Sequence, residues 1–179
     1  NIVESMREMS QSSKEIKEET NIYATLTTSL TMAYNRSRQV SKIYLNGKLF
    51  DMDSINKNEY IYLCKVQKQR MEQVWIIVIN NALDELIKID NYEDRILNIN
   101  IFEDNNEIII KFKDTAGGIN KEIISDIFEP FISSKLHSGM GVGLNIAKKI
   151  VDEQDGKIRA YNEDSGAVFE IRLQKCEEE

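Results

Sequence analysis

Asn81 is the first residue whose type and setting could serve chemistry, and it lies in the segment INNALDEL. Apolar residues at helical spacing predict a single helix over residues 68–89, in which Asn81 shares a face with Ile77 and Asp84. An asparagine carbonyl is a neutral oxygen ligand that suits Mg²⁺ when phosphates and water hold most of the ion. The plainer interpretation is a pair of asparagines on a solvated helix face.

A second candidate, Asp114, opens the segment DTAGGI directly after a predicted strand. An ionised carboxylate only accepts hydrogen bonds, so it can accept one from the exocyclic amino group of adenine but would repel the carbonyl of guanine. Such a bond contributes on the order of 1.5–3 kcal/mol. Gly117 and Gly118 would let the backbone approach a flat ring. An acidic turn between strand and helix is the alternative.

A third segment, IFEPFISSK, carries Pro130, the only proline of the chain, between Phe128 and Phe131. The residue before a proline disfavours helical conformation, so the chain must leave any helix near Glu129. The two aromatic rings could latch a mobile loop onto the core. A small hydrophobic cluster beneath a loop is the alternative interpretation.

The fourth segment, HSGMGVGLNIAKKIV, contains Gly139, Gly141 and Gly143, which lead into a helix predicted at residues 142–154. A helix N-terminus offers unpaired N–H groups and partial positive charge, both of which suit a polyphosphate. The motif is not a Rossmann fingerprint, because no strand leads directly into it, and it lacks the Gly-Lys-Ser/Thr ending of a P-loop.

The elements that must position these segments follow from hydrophobic periodicity. Two hairpins are predicted, with turns at residues 103–106 and 162–166. Together the elements predict an α/β two-layer sandwich, in which helices cover one face of a mixed, mainly antiparallel sheet. Besides the two helices above, the predicted elements are a helix at 21–39 and strands at 42–50, 59–63, 96–102, 107–114, 157–161 and 167–173.

Composition limits the class of protein. The 179 residues fit one globular domain with a short appendage, and the net charge of -7 argues against nucleic acid as a partner. Cys64 and Cys176 lack metal-ligand spacing, which indicates ordinary thiols of a reducing compartment.

No apolar run approaches the ~18–20 residues that span a bilayer. We therefore expect a cytoplasmic location for this part of the protein. Because the chain begins without Met at Asn1, we expect a longer protein, in which a membrane anchor could lie elsewhere.

Taken together, the four segments resemble the catalytic domain of sensor histidine kinases. The resemblance rests on an Asn-Ala pair in a helix, then Asp-x-x-Gly-Gly-Ile, then Phe-Glu-Pro-Phe, then Gly-x-Gly-x-Gly-Leu, in this order. Such domains share the Bergerat ATP-binding fold with type II topoisomerases, Hsp90 chaperones and mismatch-repair ATPases. The similarity extends over residues 20–174 and implies ATP and Mg²⁺ as cofactors.

The resemblance also implies a role for each motif. Asn81 would coordinate Mg²⁺ and so serve catalysis, Asp114 would bind the adenine amino group, and the segment from Phe128 to Ser138 would form a lid. Lys135 and His137 would reach the phosphates from that lid. The implied nucleotide-binding residues are Asn81, Asp114, Gly118, Ile119, Phe128, Lys135, Gly139, Gly141, Val142, Gly143 and Leu144.

Two positions depart from the family pattern. Many of these kinases carry Asn where Ile77 stands, so a polar group near the metal would be missing here or replaced by Asn80. Hydrolytic branches carry a water-activating Glu there, so Ile77 points away from hydrolysis. Ala116 replaces the glycine of an Asp-x-Gly pattern and would tighten the turn slightly.

The resemblance further implies the surroundings of the domain. Residues 1–19 would be the end of a dimerisation helix and a linker, and residues 20–179 the catalytic ATP-binding domain. His137, the only histidine, is not the expected acceptor, which would lie on an upstream helical domain. The expected partners are ATP, that dimerisation and phosphoacceptor domain, and the receiver domain of a response regulator, with the longer protein a homodimer.

Two other functions remain open at this point. A serine kinase of the anti-sigma-factor type shares the fold, although it usually has Glu at the position of Ile77. A nucleotide-sensing or dimerisation module without catalysis is the other. A His-Glu-led helical hairpin upstream of Asn1 would favour the histidine kinase over both.

Overall fold

The computed structural model describes residue 2, residues 16–130 and residues 143–178. The elements are β1 (Glu18–Asn21), α1 (Ile22–Met32), α2 (Tyr34–Val40), β2 (Lys42–Leu45), β3 (Lys48–Leu49), β4 (Leu63–Val66), α3 (Lys68–Leu86), β5 (Ile96–Asp104), β6 (Glu107–Asp114), α4 (Gly143–Glu153), β7 (Lys157–Glu163) and β8 (Gly166–Gln174). A six-stranded sheet has the order β3-β2-β5-β6-β8-β7, and a separate two-stranded sheet pairs β1 with β4. The β2–β5 pair is parallel, and the other pairs of both sheets are antiparallel.

The core lies between one face of the large sheet and the helices. Alternation along β6 turns Ile110 and Phe112 toward the helices, while Lys111 lies on the opposite face. Trp75 of α3 is fully buried with its ring centroid 5.7 Å from that of Phe112. Its indole nitrogen donates a 2.9 Å hydrogen bond to the hydroxyl of Thr25 on α1. The predicted fold class, helices on one face of a mixed sheet, is confirmed.

The long helix and the central hairpin agree closely with their predictions. The helix predicted at residues 68–89 runs from Lys68 to Leu86, and the strand predicted at 107–114 has those limits. The tight turn before it places Asn105 and Asn106 at φ 51° and 62°. Asparagine tolerates this left-handed conformation better than most residues, which explains why the turn falls there.

Three predicted elements in the first third of the chain were wrong in detail. The helix predicted at 21–39 is interrupted at Ala33, where ψ is 0°. The strand predicted at 42–50 is a hairpin, since Asn46 and Gly47 adopt φ 48° and 80° and reverse the chain.

The third error concerns the strand predicted at residues 59–63, which begins only at Leu63. The side chain of Asn21 bonds to the backbone just before it: its Oδ1 accepts from the Tyr62 amide at 3.0 Å, and its Nδ2 donates to the Tyr60 carbonyl at 3.0 Å. The Tyr62 amide and the Tyr60 carbonyl therefore bond to a side chain rather than to the backbone of a neighbouring strand.

Strand β1 begins at Glu18, before the domain boundary predicted at residue 20, and pairs Glu18 with Val66 of β4. The division into residues 1–19 and 20–179 stays a prediction. Among the described residues, no helix has both the length and the hydropathy to cross a membrane.

Candidate functional site

Asp114 ends β6 on the core-facing side of the sheet and is 4% exposed. Its Oδ1 accepts hydrogen bonds from the amides of Ala116 at 3.0 Å and Ala167 at 3.3 Å. At Gly166, a Cβ would lie 1.8 Å from the carbonyl oxygen of Asp114, so only glycine fits this position of β8. The carboxylate is therefore held in one place at the edge of the core, at the strand end where the sequence placed it.

The turn after Asp114 is tied to the β7–β8 hairpin. Gly117 and Gly118 both have φ 87°, a conformation that glycine adopts without steric cost. The amide of Gly117 donates to the carbonyl of Ser165 at 2.7 Å. The side chain of Asn162 bonds to both backbone groups of Ile119, accepting from its N–H at 2.7 Å and donating to its carbonyl at 2.8 Å.

Thr115 holds the other side of the same turn. Its hydroxyl donates to the carbonyl of Asp94 at 2.7 Å and accepts from the amide of Ile96 at 3.1 Å. Neither Thr115 nor Asn162 was among the predicted site residues. The one available signal was that each is polar and lies within or beside a predicted turn next to the site.

Asn81 lies half-buried on α3, in the predicted helix. The neighbouring Asn80 does not face the same way, because successive helical residues point about 100° apart. Its Oδ1 accepts a 2.5 Å hydrogen bond from Arg36 of α2, which also bonds to Asp84 at 2.5 Å. Asn80 is thus tied to α2, and nothing in this arrangement supports the prediction that it takes the place of the polar group that is missing at Ile77.

The first residue of α4 lies against α3 beside the Asn81 turn. A Cβ built on Gly143 would lie 3.3 Å from Cγ2 of Ile77, one helical turn before Asn81. Leu144 is 8% exposed and joins the hydrophobic core. The structure therefore brings together the N-terminus of the glycine-led helix and the helix that carries Asn81.

Buried polar contacts fix the far ends of these two helices. Gln67 lies just before α3, and its backbone N–H donates to Gln154 Oε1 at 2.8 Å. In return, Gln154 Nε2 donates to the side-chain Oε1 of Gln67 at 2.7 Å. Beside them the guanidinium of Arg70 bonds to the carboxylate of Glu153. The start of α3 thus contacts the end of α4, and the helices run antiparallel.

Phe128 packs edge-on against Phe169 of β8, with ring centroids 6.2 Å apart and an angle of 87° between the planes. This contact fits the predicted attachment of the loop to the core. The predicted residues Lys135, Gly139, Gly141 and Val142, together with His137 and Phe131, lie outside the described residues.

The donor groups near Asn81 fit a metal ion only in part. Within residues 16–130 and 143–178, no three His, Cys, Asp or Glu side chains are close enough to hold an ion by themselves. A single asparagine oxygen suits an ion that a nucleotide brings with its own phosphate ligands. The residues present are therefore compatible with Mg²⁺ bound together with ATP.

A buried carboxylate at a strand end beside a two-glycine turn, together with a helix that carries Asn81 and packs against the start of α4, fits an ATP-binding domain. The chain belongs to the histidine kinase-, DNA gyrase B- and HSP90-like ATPase family, whose sequence profile matches residues 67–177. Residues Asn81, Asp114 and Gly143 all fall within that match.

Curated relatives of the chain are sensor proteins. The sensor protein KdpD of Clostridium acetobutylicum is 28% identical over 141 residues, which cover 75% of this chain and 15% of that protein. The C4-dicarboxylate transport sensor protein DctB of Rhizobium meliloti is 34% identical over 107 residues, covering 60% and 17%. The chain thus spans less than a fifth of the length of either relative.

Solved structures share the fold. The catalytic domain of histidine kinase ThkA has a TM-score of 0.70 at 22% identity, and the match covers 89% of this chain and 95% of that one. The same kinase in complex with response regulator protein TrrA gives a TM-score of 0.70 at 22% identity, covering 96% and 46%.

Proposed function

We propose that the chain is the ATP-binding catalytic domain of a sensor histidine kinase. It transfers the γ-phosphoryl group of ATP to a histidine on an upstream helical domain, for relay to an aspartate of a response regulator. The observation that carries the proposal is Asp114, a buried carboxylate held at a strand end beside a two-glycine turn.

Adenine is the base that this site suits best. Two backbone amides, of Ala116 and Ala167, hold Asp114 in position, and an ionised carboxylate can only accept hydrogen bonds. Adenine presents an amino donor where guanine presents a carbonyl acceptor. The turn at Gly117 and Gly118 has no side chain that could obstruct the ring.

The phosphates are bound at the N-terminus of α4 in this proposal. The first backbone N–H groups of α4, at Gly143 and Leu144, have no partner within their own helix and suit an anion. Asn81 would hold Mg²⁺, which would supply positive charge for phosphoryl transfer. Lys135, Gly139, Gly141 and Val142 complete the phosphate site in this proposal.

Transfer fits the site better than hydrolysis. Ile77, which lies beside Gly143 at the start of α4, is apolar and cannot activate water as a carboxylate would. This observation also speaks against the serine kinase alternative, which usually carries Glu there.

Similar proteins support the remaining features of this proposal. Curated relatives are sensor proteins, and ThkA has been seen with a response regulator. We extend these features to the longer protein: a receiver domain as partner, an upstream dimerisation and phosphoacceptor domain, a homodimer, and a cytoplasmic location for this domain.

Labelled ATP tests the proposal directly. The longer protein that includes the upstream helical domain should gain acid-labile phosphate on a histidine of that domain, whereas this chain alone should gain none. Asn81→Ala in the longer protein should abolish labelling, because the variant loses its Mg²⁺ ligand. Exposed Asn100, on the opposite face of the sheet, provides the control Asn100→Ala, which should label normally.

Three outcomes would contradict the proposal. Labelling of His137 in the isolated chain would place the acceptor within this domain. Phosphate on a serine of a partner would favour the anti-sigma-factor class. ATP binding without any transfer by the longer protein would indicate a nucleotide-sensing module.

A further inference from the structure

We propose that Asn162 is a positioning residue for the adenine-binding turn, acting through the backbone of Ile119 rather than by contact with the nucleotide. The inference rests on the proposed function and deepens it. Strand β7, which lies outside the four sequence motifs, would then contribute to nucleotide affinity through Asn162.

The side chain of Asn162 pairs with Ile119 as a neighbouring strand would. Its Oδ1 accepts from the Ile119 N–H at 2.7 Å and its Nδ2 donates to the Ile119 carbonyl at 2.8 Å. The two residues are 43 positions apart in the chain. Both backbone groups of one residue are thus satisfied by one side chain, which fixes the position and orientation of that peptide.

The same side chain lies directly against Gly118. A Cβ on Gly118 would lie 2.8 Å from Oδ1 of Asn162, so the turn and the amide side chain occupy adjoining space with no room to spare. With the Gly117 amide bonded to Ser165 at 2.7 Å, the β7–β8 hairpin holds the turn at two points. Residues in left-handed conformations keep one geometry when their surroundings determine it.

Asparagine supplies this pair of bonds because its short side chain carries both an N–H donor and an oxygen acceptor. Aspartate keeps the acceptor, but when ionised it has no donor. Alanine loses both groups. Serine has a single oxygen and is one atom shorter, so it cannot bond to both the N–H and the carbonyl of Ile119.

A role limited to stability is a poor account of these bonds. Asn162 is exposed, so water would replace its partners in the variants at little cost. What water cannot do is hold the Gly118–Ile119 peptide in one orientation while a base docks. Loss of the two bonds between Asn162 and Ile119 should therefore lower nucleotide affinity more than thermal stability.

The test compares binding of a non-hydrolysable ATP analogue with Mg²⁺ by calorimetry in the wild-type chain, Asn162→Ala and the control Asn100→Ala. Asn100 is an exposed asparagine on the outer face of β5. We expect Asn162→Ala to bind about tenfold more weakly, because the Gly118–Ile119 peptide would then hold its binding orientation only about a tenth of the time, with a small change in melting temperature. Asn100→Ala should match the wild type in both measurements.

Asn162→Asp adds a signature that a structural role would not produce. Near neutral pH the ionised aspartate lacks the donor, so its affinity should fall as in Asn162→Ala. As the pH is lowered toward about 4, where an aspartic acid takes up a proton, the regained O–H donor should bring the affinity ratio of variant to wild type back toward one. In Asn162→Ala the ratio should not change with pH.

The experiments separate failure of the Asn162 inference from failure of the proposed function. Unchanged affinity in a folded Asn162→Ala would overturn the inference while leaving the proposed function in place. If Asn162→Ala does not fold, a ratio for Asn162→Asp that is independent of pH would overturn it instead. A wild-type chain that binds no ATP analogue would overturn the proposed function itself.

Discussion

The carboxylate of Glu170 lies on the open face of the sheet, yet its side chain is fully covered. Arg159 bonds to its Oε2 at 2.5 Å and Arg172 to the same oxygen at 3.0 Å, while the ammonium of Lys111 lies 3.7 Å from Oε1. Burial alone would raise the pKa of Glu170, but the hydrogen bonds from the two guanidinium groups outweigh it and lower the pKa to about 2.

This lowered pKa makes stability depend on pH. Because the folded pKa lies below the ordinary value of 4.5, the unfolded chain takes up the proton first, and the stabilisation is present above pH 4.5 and lost as the pH falls toward 2. We expect Glu170→Gln to lower the free energy of unfolding at neutral pH by on the order of 2 kcal/mol.

Urea denaturation across this pH range measures the effect. The difference between wild type and Glu170→Gln should shrink as the pH falls. The control Glu163→Gln removes an exposed carboxylate from the same face and should cost little at any pH. A gap between wild type and Glu170→Gln that persists unchanged at low pH would contradict the assignment.

At the residue scale, local patterns in the sequence predicted the groups that would face a ligand but not those that hold them. Asp114 and Gly118 stand in a recognisable segment after a strand. Asn162 lies 43 residues from its partner Ile119, and such a pairing depends on which strands are neighbours in the sheet. No periodicity within either segment contains that information.

At the scale of elements, the packing of α3 against α4 determines where the start of α4 lies relative to Asn81. Ile77 and Gly143 meet at one end, and Gln67 and Gln154 pair at the other. Since the helices run antiparallel, a shift at the glutamine pair would alter where Gly143 lies relative to Asn81. The contact between Gln67 and Gln154 therefore affects the candidate site, although it lies at the opposite end of α4 from Gly143.

Gln154→Ala tests this coupling of elements. The substitution leaves the buried amide N–H and side-chain oxygen of Gln67 without the partners that Gln154 gave them, at a cost of about 1–3 kcal/mol in the free energy of unfolding. Affinity for an ATP analogue should also fall, because one of the two polar contacts that align the end of α4 with the start of α3 is lost.

Exposed Gln174, near the end of β8, provides the matched control Gln174→Ala, for which both quantities should stay close to wild type. The contact between α3 and α4 would be irrelevant to the site if Gln154→Ala lost stability but kept its full affinity for the analogue.

Elements with strong alternation or helical periodicity could be predicted, and those that depend on side-chain bonds to the backbone could not. The helix Lys68–Leu86 and the hairpin of β5 and β6 follow from apolar spacing. The late start of β4 depends on the side chain of Asn21, which bonds to residues 60 and 62 of a distant segment. A window of neighbouring residues does not report such a contact.

At the scale of the whole molecule, the charge is -7 and the proposed ligand is itself a polyanion. The proposed site would bind it with backbone N–H groups, a helix N-terminus and a neutral asparagine rather than with a cluster of lysines. We therefore expect binding to require Mg²⁺, which would carry positive charge that Asn81, Gly143 and Leu144 do not supply.

Adenine recognition by Asp114 can be tested by calorimetry of the chain with non-hydrolysable analogues of ATP and GTP, with and without Mg²⁺. We expect Mg²⁺-dependent binding of the ATP analogue, much weaker binding of the GTP analogue, and loss of about tenfold or more in affinity in Asp114→Asn. Asp104→Asn, which changes an exposed carboxylate at the end of β5, should bind as the wild type does. Equal affinity for the two nucleotides, or full affinity in Asp114→Asn, would show that Asp114 does not bind adenine.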